Sequence, residues 1–89
     1  MYERIKTSKT FPDNLINALG ITYITPALKD NIIKLLSTVK YRQADSELLL
    51  RMYYEDNLTM TEIGNKFNLS KERIRQKLNL ALSDIRRNL

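Results

Sequence analysis

An all-α fold, a small helical domain ending in two short helices set at a steep angle, follows from three observations. Apolar residues recur at three- and four-residue steps along most of the chain, no stretch alternates long enough for a strand, and cap residues stand where each periodic segment begins. The arrangement is centred on Leu58–Arg87, LTMTEIGNKFNLSKERIRQKLNLALSDIRR, in which two helical patterns are separated by a very short break. Thr59 is the first cap, with Glu62 three residues on as a capping box requires, and Ile63 and Phe67 share a face. Asn68 tolerates the left-handed backbone found just past a helix end, and Ser70 caps the second helix. A mid-helix glycine costs about 1 kcal/mol against alanine, so Gly64 points to close approach of the second helix. These signals describe a helix-turn-helix, whose second helix can lie in a DNA major groove; a plain helical hairpin could carry them too.

The elements before it follow in order. Met1–Thr10 is polar, mixed in charge and aperiodic, and is expected to be a flexible arm. Phe11 and Pro12 lead into DNLINAL, a short helix closed by Gly20. Ile21–Ile24 is an extended connector. Thr25 and Pro26 start a helix whose inner face is Leu28, Ile32, Leu35, Leu36 and Val39, running to about Lys40. Asp45 is the next expected cap, with Leu48, Leu49, Met52 and Tyr53 as the inner face, and Glu55-Asp56-Asn57 ends that helix. The expected organisation is an N-terminal arm with a short helix over 1–24 and a helical domain over 25–89.

Composition narrows the function. The 89 residues contain neither cysteine nor histidine, so the commonest thiol nucleophile, general base and transition-metal ligands are missing. An enzyme is not expected, nor a cofactor or metal. No apolar run could cross a membrane, and the first residues lack the apolar core of a signal peptide, which suggests a cytoplasmic protein. The net charge is +5, and all of the surplus lies from Lys66 onward, where seven basic residues face only Glu72 and Asp84. That asymmetry fits a polyanionic partner, although a merely solvated basic face would look the same.

In the last helix Ile74, Leu78, Ala81, Ile85 and Leu89 cluster on one side, with Leu82 at its margin. Glu72, Arg75, Gln76, Asn79, Ser83 and Arg86 point the other way, and Leu80 lies on the exposed side. Phosphate binding alone needs only cations, whereas Arg can bond guanine O6/N7, Gln adenine N6/N7, and Glu cytosine N4. Glu72, Arg75 and Gln76 are therefore candidate base contacts, while Lys71 lies with Arg73 nearer the flank where phosphates would run. Thr59, Ser70, Arg73 and Asn79 are the candidate phosphate contacts, the free N–H groups after Ser70 adding to them. For Glu72, stabilisation by the helix dipole and cytosine readout carry equal weight. For Thr59, capping is the preferred role.

The segment LLLRMYYEDNLTMTEIGNKFNLSKERIRQKLNLALSDIRR resembles region 4 of bacterial sigma-70 family factors, the part that reads the upstream promoter element. The RMYYEDNLT lead-in, the TEIG helix and KERIRQ carry the resemblance, which is good over Asp45–Arg87 and weaker over Thr25–Ala44. It implies base contacts by Lys71, Glu72 and Gln76, and phosphate contacts by Arg73 and Arg75, with Arg75 also in reach of bases. It further implies an apolar hollow over Leu28–Val39 and Leu48–Tyr53 for the flap of the RNA polymerase β subunit, or for an anti-sigma protein. Lys77 stands where the family usually has an apolar residue, so it is expected to snorkel at the rim of the core. In a chain of 89 residues the regions of the family that bind core polymerase and melt promoters are not expected. Two functions are carried forward: a sequence-specific regulator of double-stranded DNA resembling a stand-alone region 4, and a protein-binding sigma mimic.

Overall fold

The computed structural model describes residues 10–89, so the arm expected over Met1–Thr10 lies, except for Thr10, outside the described residues. Five helices follow: α1 (Asp13–Ala18), α2 (Pro26–Thr38), α3 (Ser46–Leu50), α4 (Met60–Phe67) and α5 (Lys71–Arg86). α3 continues without a break into a wider π-type turn over Arg51–Glu55, closed by Asp56 N–H on the Arg51 carbonyl at 2.9 Å. There is no strand among the described residues.

Local chemistry sets most of the boundaries. Thr25 caps α2 by accepting from Leu28 N–H at 3.1 Å, with Pro26 at the first helical position, where its missing N–H is no loss. α2 stops at Thr38, two residues short of the expected Lys40, without glycine or proline. The Thr38 and Ser37 hydroxyls both donate to the Lys34 carbonyl, at 2.9 and 3.3 Å, and such side-chain bonds compete with the helical ladder. Val39 then turns extended and buries its side chain. Gly20 and Asn57 take the left-handed backbone, φ +92° and +60°, where their helical segments end.

One apolar core joins all five helices. Leu15, Ile16, Ile32, Leu36, Leu49, Leu50, Ile63, Ile74, Ala81 and Ile85 are buried together, with α5 packed against both α3 and α4. The inner face expected for α3 is shifted. Leu49 and Met52 are buried as expected and Leu50 joins them, but Leu48 is 52% exposed. Three consecutive leucines leave the phase of a short helix ambiguous by one residue, a rotation of about 100°.

Asp45 departs from expectation too, since its carboxylate makes no cap bond. It lies 3.3 Å from Lys77 Nζ, which also donates to Gln43 Oε1 at 2.9 Å. Lys77 does snorkel at the rim of the core: its side chain is 14% exposed, and the ammonium takes the acidic partner that the cap would have used.

Candidate nucleic-acid interface

The geometry of the α4–α5 pair begins with its caps. Thr59 Oγ1 accepts from Glu62 N–H at 3.1 Å while Glu62 Oε1 accepts from Thr59 N–H at 2.8 Å, so two free N–H groups of α4 are satisfied reciprocally. Asn68, at φ +55°, reverses the chain, and Leu69 N–H bonds the Gly64 carbonyl at 2.8 Å. A Cβ at Gly64 would run into the Leu69 carbonyl oxygen, so the turn closes in the space a side chain would fill. Ser70 then caps α5, accepting from Arg73 N–H at 3.1 Å. The capping expected of Thr59, Asn68 and Ser70 is thus present, as is the close approach at Gly64.

α5 is divided lengthwise. Ile74, Leu78, Ala81, Leu82 and Ile85 are buried. All eight candidate contact residues, Thr59, Ser70, Lys71, Glu72, Arg73, Arg75, Gln76 and Asn79, are exposed, and they gather at the cap of α4 and the N-terminal half of α5. The Thr59 and Ser70 oxygens are occupied as caps, and each hydroxyl keeps a proton to donate. Thr59, Thr61 and Lys71 also line one groove with Asn14 and Asn17 of α1 and with Tyr53 and Tyr54.

Four of the exposed residues are joined in pairs. The Arg75 guanidinium grips Glu72 with two nitrogens, Nε to Oε1 at 3.0 Å and Nη2 to Oε2. Those hydrogen bonds hold the Glu72 carboxyl below its ordinary value. Arg73 Nη1 lies 3.4 Å from Gln76 Oε1.

The lower half of α5 differs from the sequence reading in four places, one of them Ser83, which was expected to point outward and is half-buried. Leu89 lies beyond the helix and is 53% exposed, because α5 ends at Arg86 before the stripe reaches it. Leu80 is half-buried rather than free. Arg86 is exposed, but its guanidinium turns back to the Leu19 and Ala18 carbonyls at 3.4 and 3.3 Å, where α1 leaves acceptors unused.

Asp84 was not singled out by sequence, yet it anchors the helix. Its fully buried carboxylate accepts from Arg42 N–H at 3.0 Å, Arg42 Nε at 2.6 Å and Arg87 Nη2 at 2.7 Å. Burial alone would raise the Asp84 carboxyl, but the Arg42 backbone and guanidinium, helped by Arg87, outweigh it and keep the group below its usual range. Only the Arg87 contact, three residues along the helix, had a signal in the sequence.

The family model of sigma-70 region 4 matches residues 43–87, just over half of the chain. The chain belongs to the sigma-70 region 4 family. Its DNA-binding helix-turn-helix is α4 and α5, and the matched segment also takes in α3 and the π-type turn, while α1 and α2 precede it. No curated protein and no solved structure gives a significant match. Among the described residues no helix of this region 4 domain is long and apolar enough to cross a membrane.

Proposed function

We propose that the chain is a sequence-specific double-stranded DNA-binding transcription regulator that reads the major groove with the outer face of α5. The observation that carries this is the division of α5: one side is locked into the core while Lys71, Arg73, Arg75 and Gln76 of its N-terminal half stand in solvent. Lys71, Glu72, Arg75 and Gln76 contact base edges, and Thr59, Ser70, Arg73 and Asn79 hold the phosphates on either side. The cytoplasm is where such a protein meets its promoters, and RNA polymerase is the natural partner of a region 4 domain.

Selection of duplexes from a random pool, with and without RNA polymerase, tests this reading. A recovered consensus is expected, bound with an affinity that falls steeply with salt. Arg75→Ala should weaken that site by roughly 5–150-fold, the discrimination of one bidentate base contact. A protein that binds neither the pool nor any single duplex at low salt has another function.

A second reading, a sigma mimic that engages the polymerase β flap or an anti-sigma protein, draws on the exposed Ile33 of α2 and Leu48 of α3. It expects Leu48→Asp to abolish polymerase capture while Gln76→Ala leaves it intact.

A further inference from the structure

The reading face of α5 is partly neutralised by its own residues. Glu72 and Arg75 are 59% and 49% exposed, and each is the other's partner through two hydrogen bonds. Such an exposed pair adds little to folding. Its position has a larger consequence, because in isolation Arg75 would be a strong ligand for any phosphate, and phosphates are the same in every sequence.

We propose that Glu72 masks Arg75 against the DNA backbone and releases it only to a G·C base pair, so that the pair suppresses non-specific binding. This rests on the DNA-reading function proposed above. If Arg75 turns to a phosphate, Glu72 is left as a bare carboxylate beside a polyanion, and the exchange is unfavourable. A G·C pair repays both partners. Guanine offers O6 and N7 to the guanidinium, while the cytosine beside it in the groove offers its N4 amine to the carboxylate. The tips of the two side chains already lie within bonding distance of each other, as the adjacent guanine O6 and cytosine N4 do.

The experiment measures affinity against salt for wild type, Glu72→Gln, Arg75→Gln and the double variant. The probes are a duplex selected from a random pool, the same duplex with each G·C pair changed to A·T in turn, and the unselected pool. Glu72→Gln is expected to bind the unselected pool roughly 3–10-fold tighter at low salt, with a log–log salt slope steeper by about one. Its preference for the selected duplex should shrink, and one G·C change should cost wild type more than it costs this variant. In the Arg75→Gln background the gain on the unselected pool should disappear. If the gain persists there, Glu72 acts only through overall charge and the proposal falls. No gain from Glu72→Gln in the Arg75 protein overturns it while leaving the DNA-reading function standing. A wild-type protein that binds no duplex overturns both.

Discussion

Gly64 and Asn68 set the angle between α4 and α5. The Leu69 carbonyl occupies the place of a Gly64 side chain, and that obstacle is backbone rather than a side chain that could swing away. Gly64→Ala gains up to about 1 kcal/mol in helix propensity. It loses more to the overlap, since forcing atoms into filled space typically costs about 1–3 kcal/mol. A net loss of stability is expected in urea unfolding, along with weaker duplex binding as α5 is pushed off its seat. Unchanged unfolding would mean that the turn yields freely. Both residues were legible beforehand because glycine and asparagine in these positions each have a specific backbone reason. Leu48 and Asp45 were not: the first depends on the phase of a three-leucine run, the second on an ammonium 32 residues away.

At the scale of the element, α5 is a rod fastened at three heights. Ser70 and the turn hold its start, Lys77 ties its middle to Gln43 and Asp45, and Asp84 takes Arg42 near its end. The Asp84 carboxyl is depressed in the folded protein, so its contribution is present at neutral pH. That contribution is lost as pH falls through the unfolded carboxylate value, about 3.9, and the lower folded one. Asp84→Asn should cost roughly 1.5–3 kcal/mol at neutral pH, the range for hydrogen bonds to a charged group. Its stability should also vary less with pH below about 4 than that of wild type, and parallel acid-unfolding curves would argue against this role. The caps and the Ile74–Ile85 stripe of this rod were readable as local patterns. The Arg42–Asp84 tie was not, since it joins residues 42 positions apart. Nor was the turn of Arg86 onto α1, which depends on how two helix ends meet.

For the whole molecule, charge and shape act together. The described chain is a slab of about 37 × 36 × 18 Å, and the surplus of positive charge belongs to the α4 end and α5. Backbone and base contacts should therefore separate experimentally. Arg73→Ala should weaken binding to all duplexes alike and reduce the salt slope by about one. Gln76→Ala should reduce preference for the selected site and leave the slope unchanged. If Arg73→Ala altered preference instead, the assignment of phosphate and base contacts would be reversed. The candidate face itself was legible in the sequence because it is a local property of one amphipathic helix. Its internal pairing was not, because spacing alone does not say whether Glu72 faces Arg75 or solvent.

The bond from Arg86 to α1 has a practical corollary for anyone trimming the chain. α1 and α2 precede the matched segment, yet Leu15, Ile16, Ile32 and Leu36 fill the same interior as the helix-turn-helix. A recombinant piece starting at residue 43 would carry every candidate DNA contact and still lack that filling. It should show a broad, weakly cooperative thermal melt and bind the dye ANS, whereas the 89-residue chain should melt sharply.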